Sequence, residues 1–378
     1  MEVRQLVWQD GDWNEQDPAS TDIEPQLGFT FGNVNHFKDA GVIEELTEQF
    51  PDLLLAGCST AGEIANNEIL DDSLVFTLIA FEKTQVEGEY ILFSDVENIF
   101  EAGKKAARKL DQENLAHVLV LSEGIGVNGS ELVRGITDVL PDHVQLTGGL
   151  AGDGDNFETT HVFFGEKSTR NKIVVIGLYG DAVNIGHGCF GGWDSFGPDR
   201  LITKAENNIL YELDDKPALK LYKEYLGDYA QNLPSSGLLF PLSITDEEQD
   251  KGLVRTILGV DEENQALIFA GDIPEGSYAR LMKANHHRLI DGAHNAAVES
   301  VESAGKSNPD LAFILSCVGR RLVLKQRTEE ELEAMREVYG TDTIFTGFYS
   351  YGEIAPVDDV SVASLHNQTM CITTISEE

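Results

Sequence analysis

The chain has 378 residues, 42% hydrophobic and 24% charged, the profile of a soluble globular protein with length for two domains. Its 27 Lys and Arg stand against 65 Asp and Glu, a net charge of −38 that repels phosphate backbones and anionic lipid, so neither nucleic acid nor a membrane surface is expected as the main partner. No apolar run approaches the ~18 residues of a membrane span, and the acidic start MEVRQLVWQDGDW has no signal-like apolar core, so the expected location is the cytoplasm.

In chain order, LGFTFGN (Leu27–Asn33) predicts a strand and Phe37–Phe50 a helix. LLLAGCSTAGEI (Leu53–Ile64) then predicts a strand running into a glycine loop. Ser73–Phe81 reads as a buried strand and Asn98–Leu110 as a helix. His117–Gly124, Ser130–Leu140 and VQLTGGLAGDGD (Val144–Asp155) repeat the strand, helix, strand and glycine loop. Lys172–Leu178 is a buried strand, and Ala182–Gly197 a strand opening into the glycine-rich loop GHGCFGGWDSFGP. Lys216–Leu226 is helical, Thr245–Lys251 an acidic surface loop, and Leu253–Gly259 with Gln265–Ala270 a hairpin around DEEN. Gly276–Ser303 is expected to form one long helix. A third copy follows: strand Leu311–Gly319, helix Thr328–Tyr339 opening on a Thr328/Glu331 capping box, and TIFTGFYSYGEI (Thr343–Ile354). A turn and a last strand close the chain to Thr374.

Apolar runs joined by helices of this length are what parallel crossovers require. The expected fold is therefore α/β: mixed β-sheets covered by helices, with repeated strand–helix–strand–glycine-loop units and two related halves packed together. Each unit ends in a glycine, a four-residue loop, then glycine and an acid: Gly57 with Gly62-Glu63, Gly149 with Gly154-Asp155, Gly347 with Gly352-Glu353. Glycine lets a backbone approach a ligand closely, and ligands of open α/β sheets bind beyond the carboxyl ends of parallel strands. Glu63, Asp155 and Glu353 are thus candidate polar anchors of a shared cleft. The competing reading is that the glycines only make tight turns and the acids cap backbone amides.

Gly124–Gly129 (GIGVNG) fits a dinucleotide-binding fingerprint after a strand and before a helix, but the following strand ends without the acid that would hold a ribose. Cys58 follows a strand at a glycine turn and invites a nucleophile reading, without a local histidine base. The four cysteines form no CxxC pair, so neither a zinc site nor a disulfide framework is expected. His286, His287 and His294 read as a wet helical face. His187, beside Phe190, Trp193 and Phe196, is a candidate haem axial ligand.

AGCSTAGEI (Ala56–Ile64), LTGGLAGDG (Leu146–Gly154) and the run from Ile185 to Gly227 resemble the FIST N-terminal domain and its junction. GDIPEGSYARLM (Gly271–Met282), LSCVGRR (Leu315–Arg321), GFYSYGEIAP (Gly347–Pro356) and LHNQTMCI (Leu365–Ile372) resemble the FIST C-terminal domain. The resemblance implies domains at 25–205 and 206–378. It also implies a sensory protein that binds a small ligand and regulates a separate partner such as a histidine kinase. The sharpest version of that expectation is haem, as in nitric-oxide-sensing members, with His187 and His161 as axial candidates. The alternative ligand class is amino acids or related metabolites. The expected ligand-binding residues are Gly57, Cys58, Ser59, Glu63, Gly149, Asp155, Gly347, Tyr349, Glu353 and Asn367. No catalytic residue is expected; the alternative is a hydrolase or nucleotide-dependent enzyme using Cys58 or Gly124–Gly129.

Overall fold

The computed structural model describes residues 1–14, 23–38, 41–165, 167–245, 252–306, 308–356 and 362–378. The acidic loop expected at Thr245–Lys251 lies, beyond Thr245, outside these residues.

Each repeat folds as a parallel strand pair: Leu27–Gly32 with Leu54–Ser59, Leu115–Ser122 with Gln145–Leu150, and Leu311–Cys317 with Ile344–Ser350. An antiparallel third strand flanks the first strand of each pair: Leu74–Ala80, Lys172–Tyr179 and Met370–Glu377. The architecture is mixed α/β, with several mixed sheets packed against helices. Alternation along the first strands aims Leu27, Phe29 and Phe31, Leu119 and Leu121, and Leu311, Phe313 and Leu315 into one shared apolar core. Phe31 there meets Phe313 and Phe348 at ring distances of 5.6 and 4.8 Å.

The strand that leaves each glycine loop pairs with a different unit. Glu63–Ala65 adds to Ile344–Ser350, Gly352–Pro356 to Gln145–Leu150, and Val162–Phe164 to Leu54–Ser59. First joins third, third joins second, and second joins first. Equivalent backbone bonds seal the ring: Ala61 N to Tyr349 O (2.8 Å), Tyr351 N to Leu150 O (3.2 Å) and Gly152 N to Ser59 O (2.9 Å). Such an arrangement has pseudo-threefold order.

The ring also sets the alignment of the repeats. A Cβ on Gly57, Gly148 or Gly347 would lie 1.9, 2.0 or 1.8 Å from the carbonyl oxygen of Thr30, Val120 or Ile314 on the neighbouring strand. The second glycine of the set is therefore Gly148, not Gly149. Gly149 corresponds to Cys58 and Phe348.

A second body is inserted between strand Val183–Phe190 and helix His286–Ala304. It is a nine-stranded sheet, Trp193–Ser195 through Tyr278–Ala284, packed on helix Ala218–Leu226 around Leu210, Leu219, Tyr222, Leu267 and Phe269. The expected boundary at 205/206 falls inside this body, within the hairpin of Arg200–Glu206 and Ile209–Leu213.

Four local expectations are corrected. The segment read as one helix from Gly276 is a strand, Tyr278–Ala284, followed by a helix from His286; Asn285 accepts from Arg288 N and caps it, and three strands recruit the preceding residues. The glycine-rich loop from Gly186 is largely strand. Gly186 and Gly188 let helix His286–Ala304 approach, since a Cβ there would meet Ser300 O at 2.0 Å and Ala296 O at 2.1 Å. The Thr328/Glu331 capping box does not form, because the Glu331 carboxylate is drawn inward to the buried Arg320 guanidinium (2.6 Å). Cys189 and Cys371, 182 residues apart, face each other in register across antiparallel strands and form a disulfide. Among the described residues no helix is long and apolar enough to cross a membrane.

Candidate functional site

A polar cavity of about 260 Å³ opens at the carboxyl ends of the first parallel pair. Asn33 follows the first strand, Thr60–Glu63 follows the second, and Asp71 and Asp72 precede the third. The second unit contributes Asp153 and Gly154 from its own glycine loop. The cavity thus lies where the ring places two units' loops side by side, at a sheet edge of the kind that receives ligands in α/β folds.

Its charges are mostly carboxylates. Glu63, Asp71, Asp72, Asp153 and Glu158 line it, with Lys38 at the rim. Their states differ. Asp153 is spent on structure: its carboxylate accepts from the amides of Phe157, Glu158 and Thr159 (2.8–2.9 Å) and from the Tyr351 hydroxyl. Asp71 is held bidentately by Arg321 (2.8 and 2.6 Å), and the same guanidinium donates to Ala61 O at 2.6 Å. Asp72 accepts from the Asn33 amide at 2.8 Å.

Glu63 is recessed in the floor, 1% exposed, and accepts from Thr60 Oγ1 (2.5 Å) and Ser73 Oγ (2.8 Å). Burial pushes its carboxyl up to about 7, against the downward pull of the two hydroxyls. Gly62 has φ +133°, a conformation that strains any other residue, and a Cβ there would also displace the Arg321 guanidinium, 2.3 Å away.

The other expected site residues are dispersed. Gly57 and Gly347 serve close strand packing. Cys58 is fully buried, and burial holds its thiol well above the usual range, which removes the thiolate a nucleophile needs. Ser59 donates to Gly152 O (2.7 Å) and accepts from His161 N, pinning the ring from inside. Gly149 is buried in its strand, and Asp155 is exposed and absent from the cavity wall, where Asp153 stands instead. Tyr349 is buried with its hydroxyl on Glu331, and Asn367 is buried, accepting from Thr256 N and donating to Tyr351 O. Glu353 repeats the Glu63 arrangement with Ser350 (2.5 Å) and Thr369 (2.8 Å), 0% exposed.

His187 lies on strand Val183–Phe190, 3% exposed under helix His286–Ala304, with Nδ1 on Ser303 Oγ (3.2 Å). His161 is partly buried, its Nδ1 on Ser168 Oγ (3.1 Å), and burial lowers its pKa. Among the described residues no group of three or more His, Cys, Asp or Glu is placed to hold a metal ion. In Gly124–Gly129 the amides of Ile125 and Gly126 donate to Glu123 (3.2 and 2.9 Å), and Asn128 caps the helix. The position a pyrophosphate would take is filled by the protein's own carboxylate.

Sequence reasoning missed Asn33, Asp71, Asp72, Asp153 and Arg321. The pair Asp71-Asp72 directly before a buried strand was a visible signal. Arg321 ends the family-like run LSCVGRR, but its pairing with Asp71, 250 residues away, left no signal.

Residues 26–216 match the FIST N domain and residues 218–356 the FIST C domain. A curated relative, an uncharacterised protein of Methanocaldococcus jannaschii, is 26% identical over 343 residues, a match covering 82% of this chain and 62% of that protein. The chain therefore spans about 62% of that relative's length. The crystal structure of a cyanuric acid hydrolase from A. caulinodans aligns with 99% of this chain and 98% of that one, at TM-score 0.37 and 9% identity.

Proposed function

This chain belongs to the FIST family, and from that premise we propose that it is a signal-transduction sensor whose input is a small amine-bearing metabolite, an amino acid being the leading class. The observation that carries this reading is the cavity at the first parallel pair, walled by carboxylates with Lys38 at its rim. An ammonium group fits the Asp71, Asp72 and Glu63 side, and a carboxylate on the same ligand fits Lys38. Such a ligand acts as a signal only by binding one conformation better than another. The contact that would report it is Arg321, which reaches from the third unit to Asp71 and Ala61 beside the cavity. The output passes to a separate partner, for which a histidine kinase is the family's precedent.

The haem version requires an imidazole with an open coordination face. His187 is enclosed between helix and sheet and bonded to Ser303, and neither it nor His161 lines the cavity. These two histidines do not fit an axial role.

The test is a thermal-shift and calorimetric comparison of free amino acids with their N-acetyl derivatives. Free amines should stabilise the protein, acetylation should abolish the effect, and Glu63→Gln should weaken binding about tenfold. Equal binding of acetylated and free forms would sink the amine reading.

A further inference from the structure

We propose a second ligand site in the nine-stranded body, an apolar pocket for a small aromatic monocarboxylate of benzoate size. It lies outside the carboxylate-lined cavity and does not depend on the reading of that cavity. The pocket has a volume of about 200 Å³. Its floor is Leu213, Leu242, Ala279 and Leu281, each at most 9% exposed, with Tyr222 behind them. A dry cavity of about 150 Å³ lined by aliphatic and aromatic side chains accepts benzene, so this volume takes one ring and a substituent.

The mouth is chemically different from the floor. Phe196 and Tyr225 stand there 53% and 43% exposed, with Lys283 Nζ 5.7 Å from the Phe196 ring and the Arg200 guanidinium 5.9 Å from that of Tyr225, so the mouth is aromatic and cationic. Arg200 lines the same mouth. Its Nε and Nη2 donate to the Tyr225 hydroxyl (3.0 and 2.5 Å), and its Nη1 donates to Asp214 at 2.8 Å. Those bonds use three of the five guanidinium hydrogens and occupy the phenol oxygen as an acceptor, which leaves the Tyr225 O–H to act as a donor. The rim thus offers donors above an apolar floor. A neutral hydrocarbon would offer these donors no acceptor, and an ammonium would have to sit beside the Arg200 guanidinium, while the Asp214 carboxylate is already engaged by Nη1 of that guanidinium (2.8 Å). A carboxylate on a flat ring satisfies both parts: ring between Phe196 and the leucines, oxygens at Arg200 and Tyr225.

The experiment is saturation-transfer NMR of the full chain with sodium benzoate, with benzyl alcohol as the uncharged isostere. Benzoate should give saturable transfer to its ring protons, and benzyl alcohol should bind about tenfold more weakly. Arg200→Gln and Tyr225→Phe should each weaken benzoate several-fold to tenfold, and Ala279→Met, which fills the floor, should abolish the signal. Tyr225 is exposed, so Tyr225→Phe keeps the test decisive if the other variants do not fold. Absence of saturable transfer, benzyl alcohol binding as well as benzoate, or benzoate binding unchanged in Tyr225→Phe would each overturn the assignment. Glu63→Gln should leave benzoate binding untouched, which separates this site from the amine cavity.

Discussion

The loops ending in Glu63 and Glu353 are built alike and used differently. Both follow the second strand of a parallel pair, and both hold a buried carboxyl between two hydroxyls, Thr60 and Ser73 in one, Ser350 and Thr369 in the other. Burial pushes both acids up to about 7. Glu63 nevertheless floors an open cavity, whereas Glu353 is 0% exposed and its Oε2 accepts from the amide and hydroxyl of Thr369. The motif supplies a protonatable carboxyl. What lies over it decides whether that carboxyl meets a ligand or only the protein's own hydroxyls.

The largest expected effect tests the likeness of the units. Alanine at Gly57, Gly148 or Gly347 drives a methyl into a strand carbonyl within 2.0 Å. Each should cost about 3 kcal/mol or more, read as the denaturation midpoint. Alanine at Gly149, whose nearest contact would be 3.1 Å, should cost clearly less. Equal costs at Gly148 and Gly149 would break the alignment of the repeats.

Next comes the difference between the two acids. A carboxyl whose folded pKa is about 7 against a normal 4.5 keeps its proton in the native state while the unfolded chain releases it. Its contribution is therefore full below about 4.5, falls as pH rises to about 7, and is level above. Buried His117 and His366, lowered to about 3 and 4, act in the opposite direction as pH rises from there to their ordinary 6.5. The measurement is therefore the wild-type stability relative to Glu63→Gln and to Glu353→Gln, from pH 4.5 to 8. Both differences should fall with rising pH. Affinity for an amine should rise through about pH 7 as Glu63 ionises, and this rise should vanish in Glu63→Gln but persist in Glu353→Gln. Loss of the rise in Glu353→Gln alone would put the ligand at the wrong loop.

The smallest effect sharpens the second unit. Asp155→Asn should change stability by less than about 0.5 kcal/mol and leave amine binding unchanged, because Asp155 is exposed and outside the cavity.

The sequence by itself determined the three strand–helix–strand units, their glycine loops, the mixed α/β class and one acid of the cavity. These are local: apolar runs, helical spacing and glycine punctuation act within some 30 residues. Tertiary structure decided the rest. Which glycine of Gly148-Gly149 packs against Val120 O depends on strand register, and a one-residue slip changes every partner. Asp153 replaced Asp155 because only its carboxylate meets the three amides of Phe157–Thr159 and the hydroxyl of Tyr351, nearly 200 residues away. Tyr278–Ala284 became strand rather than helix because three distant strands supplied hydrogen-bond partners. Arg321 reached Asp71 only because the exchanged strands closed the ring, and no spacing along a chain encodes which loops a closed ring brings together.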